Sequence, residues 1–148
     1  MQVGGCSIES VTTTTGSCLC NACTYAYTGS PALKAICHCI SCRKISGGSN
    51  TVNYAVPEGN FSVTGGSPKS FSKDHEYGMV LTVFFCPDCG STLWKEATAE
   101  QLKGFKLVQA GTLTESEKLD DGVDAEFYTT TRVPWLVALS GVDKRAEF

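Results

Sequence analysis

Eight of the nine cysteines in this 148-residue chain lie in three short clusters whose spacing suits metal binding. The clusters are Cys18-x-Cys20-x-x-Cys23, Cys37-His38-Cys39-x-x-Cys42 and Cys86-Pro-Asp-Cys89. A Cys-x-Cys step is too short for an unstrained disulfide, whereas closely spaced thiolates can converge on one metal ion. The pattern therefore predicts zinc bound through cysteine sulfur.

The cysteine clusters allow two arrangements of zinc. Cys86 and Cys89 form a Cys-x-x-Cys knuckle, which is half of a tetrahedral site and needs two ligands from another cluster. In one arrangement, all eight clustered cysteines build two closed four-thiolate sites. In the other, one site is closed and the remaining cluster holds a second zinc with three thiolates. An ion with three protein ligands keeps an open position, as catalytic zinc does.

Composition and charge exclude several classes of protein. The net charge is −3 and the pI is about 5.3, and Lys and Arg are scattered, which argues against a nucleic-acid module. No apolar stretch reaches the length of a membrane span. A hydrophobic content of 42% builds a core, which excludes a metallothionein-like metal store.

The N-terminal segment and the cysteine count bear on compartment. Residues 1–15 contain neither a charged n-region nor an apolar h-region, so they predict no signal peptide. A disulfide framework needs an oxidising compartment and is also disfavoured by the odd number of cysteines. We therefore predict a cytoplasmic protein with one zinc-binding domain, residues 16–148, after a flexible tail, residues 1–15. Cys6 lies in that tail and is predicted to be unliganded.

Short strands separated by Gly and Pro turns are predicted to position the clusters. Strand-like segments cover 24–28, 33–36, 51–56, 61–64, 70–72, 79–85, 92–95, 105–110 and 127–131, with an apolar piece at 135–139. Residues 41–46 and 98–103 are predicted to form short helices, and Gly47 ends the first of them. Many short strands with such turns indicate a mainly β fold.

The clusters and their neighbours closely resemble glutathione-dependent formaldehyde-activating enzymes and centromere protein V. The matching motifs are GSCLCN from Gly16, CHCISCRKISG from Cys37 and FCPDCGSTL from Phe85. The likeness extends to Trp135, with the motifs in the family's order and at its distances. It implies an Mss4-like β fold of short strands with zinc knuckles and with two zinc ions, one structural and one catalytic.

The resemblance also implies which cysteines form each site. The structural zinc would be bound by Cys18, Cys20, Cys86 and Cys89. The open, catalytic zinc would be bound by Cys37, Cys39 and Cys42.

An open three-thiolate zinc predicts chemistry at sulfur. Such a site suits a fourth sulfur ligand and favours the thiolate form of an arriving thiol. We therefore predict a carbon–sulfur lyase that makes or breaks the C–S bond of a glutathione adduct of formaldehyde or of a larger electrophile. The candidate catalytic residues are His38, as an acid, a base or a hydrogen-bond partner of the substrate, and Arg43, which would hold a glutathione carboxylate.

A few residues lie outside the family pattern. Cys23 occupies a position where the family usually has an apolar residue, and it is predicted to be a buried hydrophobe, with a spare ligand or a redox partner as alternatives. The family often has a His near the position of Glu126, and this chain has no His there.

Three further residues belong to no motif. His75 is predicted to be a solvated loop residue, whereas Trp94 and Trp135 are predicted to line the core or a cavity.

Two other functions compete with the lyase. A zinc deaminase would have Glu where this chain has Cys39, and its proline would precede the knuckle, so we reject that class. The main alternative is a non-enzymatic, zinc-stabilised Mss4-like module that binds a protein partner. The second cysteine cluster, with His38 and Arg43, favours the enzyme because a scaffold needs only the closed site.

Overall fold

The computed structural model describes residues 11–147, and the mainly β class is confirmed. The strands are β1 (Thr13–Ser17), β2 (Thr24–Thr28), β3 (Leu33–Cys37), β4 (Thr51–Pro57), β5 (Phe61–Gly65), β6 (Lys69–Asp74), β7 (Val80–Phe85), β8 (Thr92–Ala97), β9 (Phe105–Gln109), β10 (Ala125–Phe127) and β11 (Asp143–Lys144). The helix α1 (Ile40–Ser46) follows β3, and short 3-10 turns cover Glu58–Asn60, Ala110–Thr112, Ser116–Asp121 and Thr129–Thr131. Within the described part of the chain, no helix has the length and apolar character needed to cross a membrane.

The strands form two sheets. A three-stranded antiparallel sheet has the order β1-β2-β5, and an eight-stranded sheet has the order β11-β10-β3-β4-β9-β8-β7-β6. In the larger sheet, β10 pairs in parallel with β3 and β11, and the other neighbours are antiparallel. This order brings β3, which leads into the second cysteine cluster, next to β4 at the middle of the sheet.

The two faces of the large sheet support different hydrophobic clusters, because successive side chains of a strand point to opposite faces. Tyr54 packs in the cluster that contains Trp94, β2 side chains, Cys18 and Cys86, whereas its neighbour Ala55 packs in another cluster. The second cysteine cluster packs with Ala35, Ala125, Phe127 and Tyr128. The large sheet therefore lies between Cys18 and Cys86 on one side and the second cysteine cluster on the other.

Helix α1 confirms the predicted helix over residues 41–46. It begins at the N-cap Cys39, whose side chain accepts a hydrogen bond from the Cys42 N–H, and it ends at Gly47 in the left-handed conformation with φ 68°. The N–H of Gly47 donates to the Arg43 carbonyl and closes the last turn. Glycine suits this position because it adopts positive φ without a steric cost.

Several predicted boundaries were wrong. Residues 13–15, assigned to the flexible tail, belong to β1, where Thr14 pairs with Tyr27 of β2. β-branched threonines favour this extended pairing. Residues 98–103 form turns rather than a helix, since six residues without a strong cap do not repay helix nucleation. Residues 1–10, including Cys6, lie outside the described part of the chain.

The C-terminal region also departs from expectation. The strand predicted over residues 127–131 ends at Phe127, because Tyr128 adopts φ 54°, in the left-handed region, and a 3-10 turn follows. Trp135, predicted to be in the core or in a cavity wall, lies on a turn and is 74% exposed. Trp94, by contrast, is buried and stacks on Phe84 with ring centroids 4.6 Å apart.

Candidate metal centres and the adjoining cavity

The first candidate centre, called the closed site, brings together cysteines from distant parts of the chain. Its members are Cys18, Cys20, Cys86 and Cys89, whose sulfurs all lie within 4.8 Å of one another. The sulfur of Cys20 is 3.6 Å from that of Cys18 and 3.7 Å from that of Cys86. Tetrahedral zinc with Zn–S bonds of 2.3 Å places its sulfurs about 3.8 Å apart. The arrangement therefore fits a closed four-thiolate zinc site.

Hydrogen bonds to sulfur support the closed site. The Cys23 N–H donates to the Cys18 sulfur at 3.2 Å, and the Asp88 N–H donates to the Cys86 sulfur at 3.4 Å. The Ser91 hydroxyl lies 3.2 Å from the Cys89 sulfur, and its hydrogen bond lowers the pKa of Cys89 to about 5. Donors of this kind favour the thiolate form that metal binding needs.

The second candidate centre, called the open site, contains three buried cysteines. The sulfurs of Cys37, Cys39 and Cys42 all lie within 4.8 Å of one another. Cys37 ends β3, Cys39 caps α1, and Cys42 lies in the first turn of that helix. The Cys42 N–H donates to the Cys39 sulfur at 3.3 Å. A strand end followed at once by a short helix thus aims three sulfurs at one point.

Lys95 is a member of the open site that the sequence analysis missed. Its side chain is buried, and Nζ lies 3.1 Å from both the Cys42 sulfur and the Thr51 hydroxyl. Burial acts to lower the pKa of Lys95, but the negative charge of Cys42 and Cys37 outweighs it, and that pKa is raised. Hydrogen bonds from Cys37 and Cys39, together with Lys95, hold the pKa of Cys42 well below its usual value. A buried ammonium therefore lies against the open site, where it would offset part of the negative charge of three thiolates around a bound metal ion.

His75 was predicted to be a solvated loop residue, and this was wrong. The side chain is buried, and its Nε2 lies 3.3 Å from the Cys39 sulfur. Its Nδ1 accepts a hydrogen bond from the Tyr77 N–H at 3.1 Å. Because a neutral imidazole has one N–H, the proton is on Nε2 and is donated to Cys39. No local sequence motif predicts this contact, because His75 lies in the loop between β6 and β7 and the pairing of these strands brings that loop to the open site.

The His75 tautomer also bears on a further possible metal group. Cys39, His75 and Glu76 have ligand atoms within 4.8 Å of one another. A metal would need the lone pair of Nε2, which here carries the proton. The Glu76 carboxylate accepts instead from the Ser41 N–H at 3.1 Å and from the Ser41 hydroxyl at 2.5 Å. This loop therefore anchors the start of α1 and leaves the open site with three ligands.

A cavity of about 40 Å³ adjoins the open site. All three of its cysteines, together with His75 and Lys95, contribute to the cavity wall. Tyr128 also lines it, and its ring lies 5.5 Å from that of His75. The left-handed backbone of Tyr128 is a costly conformation for a residue other than glycine, and such strain is concentrated at functional sites. The open site therefore faces a cavity, whereas the closed site joins Cys18 and Cys86 of a hydrophobic cluster to the exposed Cys20.

Comparison with known proteins identifies the family of the chain. The sequence profile of the glutathione-dependent formaldehyde-activating enzymes matches residues 13–131. The chain belongs to that family. No curated protein sequence matches the chain significantly. A crystal structure of a Rhodobacter sphaeroides protein is similar in fold, with a TM-score of 0.55 and 16% sequence identity over 73% of this chain and 94% of that one.

Membership of the formaldehyde-activating enzyme family supports glutathione-related formaldehyde activation as the general activity. The seven cysteines assigned from the resemblance are those that the structure gathers into the closed and open sites. Both groups could hold metal ions, and their all-sulfur ligand sets are consistent with zinc.

His38, a predicted catalytic residue, lies outside the cavity wall. Its Nε2 is 2.8 Å from the Glu126 carboxylate, and both side chains are buried. Glu126 also accepts hydrogen bonds from Arg132 and from the Leu139 N–H. Glu126 thus occupies the region where the family often has a histidine, and it pairs with His38 instead. The network holds the turn between the first two cysteines of the open site.

Arg43, the other predicted catalytic residue, also lies outside the cavity wall. It is half-buried on α1 and lines a shallow surface groove with Ile40, Lys44 and the glycines at the end of that helix. The groove is formed by the same helix that carries Cys42. A ligand in the groove would therefore contact the outer side of the element that supports the open site.

Cys23 does not join the closed site, and its side chain is buried with those of Tyr25 and Tyr27. Burial raises the pKa of Cys23 to about 11, which keeps it a protonated thiol. We therefore expect Cys23→Val to retain full metal content and to shift the free energy of unfolding by less than about 1.5 kcal/mol, as volume-conserving core changes do. Metal analysis and chemical denaturation check this. Loss of one metal ion would show that Cys23 is a ligand.

Proposed function

We propose that the chain is a zinc-dependent carbon–sulfur lyase that makes or breaks the bond between glutathione sulfur and a carbon of a small electrophile. The observation that carries this proposal is the open site, with three buried sulfurs facing a cavity and His75 held as a hydrogen-bond donor rather than a ligand. Family membership supplies glutathione as the thiol.

We assign one zinc to the closed site as a structural ion and one to the open site as the catalytic ion. Zinc bound by three thiolates has a position for a further sulfur and stabilises that sulfur as a thiolate. Lys95 and His75 donate to Cys42 and Cys39 and thereby limit the electron density on these sulfurs. Outer hydrogen bonds of this kind commonly change metal affinity or activity 10- to 100-fold.

The predicted catalytic residues take different roles in this proposal. His38 acts by positioning the cysteines, because its hydrogen bond with Glu126 holds the turn that carries Cys37 and Cys39. Arg43 lines the groove outside the cavity, and in this proposal its guanidinium binds a carboxylate of glutathione. Glutathione is far larger than the cavity, so its peptide body must lie on the surface.

Cobalt substitution tests whether glutathione sulfur enters the open site. We expect glutathione to add a sulfur-to-metal charge-transfer band to the spectrum of the cobalt-loaded protein. S-Methylglutathione is the matched control, because its thioether cannot form a thiolate, and it should leave the spectrum unchanged. If glutathione leaves the spectrum unchanged while the protein still cleaves its adducts, the glutathione sulfur does not bind the metal.

Arg43→Ala tests the surface groove. We expect it to weaken glutathione binding by about 1–3 kcal/mol, the range for a hydrogen bond to a charged group. Lys69→Ala is the control, since Lys69 is an exposed cation of β6 that does not line the groove. Titration calorimetry with the metal-loaded protein measures both variants. Equal losses in the two would indicate a general charge effect rather than a specific contact.

A second candidate function is a non-enzymatic module that binds a protein partner. The observation in its favour is an exposed apolar stretch near the C-terminus, where Trp135 is 74% and Val137 is 84% exposed. Absence of both a cobalt spectral change and turnover of any glutathione adduct would make this function the better conclusion.

A further inference from the structure

The cavity beside the open site has walls of two kinds. The sulfur end contains the three cysteines of the open site together with His75 and Lys95. Much of the remaining wall is aliphatic and is formed by Leu33, Ala55, Leu81, Ala97, Leu102 and Leu107. Strand register explains this grouping, because Ala55 lies opposite both Leu33 and Leu107, and Leu81 lies opposite Ala97. The aliphatic wall is thus largely one face of the large sheet.

The polar side chains in the wall are engaged within the protein. Lys95 and His75 donate to the sulfurs of the open site. The amide nitrogen of Asn53 donates to the Thr51 carbonyl, and its carbonyl oxygen accepts from Gln109. An apolar space with such satisfied neighbours favours an alkyl chain over water along its aliphatic wall.

The size and entrance of the cavity limit what can enter. An apolar cavity of about 150 Å³ holds benzene with its six carbon atoms, so one of about 40 Å³ has room for roughly one or two carbon atoms. Leu33 and Met79 are half-buried, whereas the other lining residues are buried, so the entrance lies beside these two. Only the group bonded to the glutathione sulfur can therefore occupy the cavity.

We propose that the electrophile is a short aliphatic aldehyde, with one or two carbon atoms beyond its carbonyl carbon. This inference rests on the proposed function. The thiol of glutathione adds to the carbonyl group: the C–S bond forms, the carbonyl π bond breaks and the thiol proton ends on the new hydroxyl oxygen. The reverse reaction returns the same aldehyde and thiol, with no oxidant or reductant. Formaldehyde has no carbon to place against the aliphatic wall.

A series of aldehydes tests the inference with the metal-loaded protein. Formaldehyde, acetaldehyde, propanal, butanal and hexanal are compared by kcat/KM for adduct formation, each divided by its uncatalysed rate constant to remove differences in reactivity. Each buried methylene should raise this ratio about fourfold. Propanal should therefore exceed formaldehyde at least about 10-fold, and butanal and hexanal should fall below propanal because their chains exceed the cavity.

Two variants change the volume of the cavity. Ala97→Leu narrows it and should lower the propanal-to-formaldehyde ratio at least about 10-fold, which cancels the benefit of two buried methylenes. Leu107→Ala widens the cavity and should move the best chain length beyond propanal. Ala26→Leu, at a half-buried position of β2 in the other sheet, should leave the ratio unchanged. If Ala97→Leu does not fold, the chain-length preference of Leu107→Ala tests the inference instead.

Binding of inert thioethers separates this inference from the proposed function. S-Propylglutathione should bind the metal-loaded protein at least about 10-fold more tightly than S-methylglutathione, and S-hexylglutathione should lose that gain. Equal binding of the three, with formaldehyde the best aldehyde, overturns the inference while the lyase stands. Selective binding without turnover of any adduct removes the lyase and retains the apolar subsite.

Discussion

Cys86→Ser is expected to yield a chain that does not fold. Cys86 is fully buried, belongs to the closed site and packs in the hydrophobic cluster between the two sheets. Structural zinc binding contributes about 10–16 kcal/mol in small modules, whereas a whole domain is stable by only about 5–15 kcal/mol. Removing one zinc ligand can therefore remove most of the free energy that stabilises the fold.

Soluble yield, circular dichroism and zinc content measure this outcome. Cys23→Val is the matched control, because Cys23 is an equally buried neighbour that lies outside the four-sulfur group. It should remain folded under conditions in which Cys86→Ser does not. A Cys86→Ser protein that unfolds at the denaturant concentration of the unchanged chain would contradict the structural role of the closed site.

Cys39→Ser is expected to remain folded and to lose activity at least about 100-fold. Changes to groups that merely support a ligand already cost 10- to 100-fold, and Cys39 is itself one of three ligands. Its sulfur accepts hydrogen bonds from both His75 and the Cys42 N–H, so the substitution also disturbs the contacts that fix its neighbours. The closed site lies on the other side of the large sheet and should keep its metal.

Metal analysis, denaturation and adduct turnover are measured together for Cys39→Ser. The expected result is one metal ion fewer per chain, a denaturation midpoint close to that of the unchanged protein and turnover near background. If Cys39→Ser loses its fold as Cys86→Ser does, the two sites share the structural role and the division between them fails.

Local sequence determined the chemistry of the ligands and much of the framework. A spacing of one or two residues keeps cysteines within reach of one metal ion, and family motifs assigned the clusters to two sites. Cys23 shows that the spacing alone does not make a cysteine a ligand. Helix α1 was likewise predictable, because Gly47 terminates it locally. Most strands were recognised from β-branched and aromatic runs with turn residues between them.

Tertiary structure decided what surrounds the open site. His75 reaches Cys39 across 36 positions of the chain, Lys95 reaches Cys42 across 53, and Glu126 reaches His38 across 88. No local spacing encodes such contacts, because they arise from the order and register in which strands pair. The aliphatic cavity has the same origin: its residues look like ordinary core positions until one sheet face places them beside three thiolates.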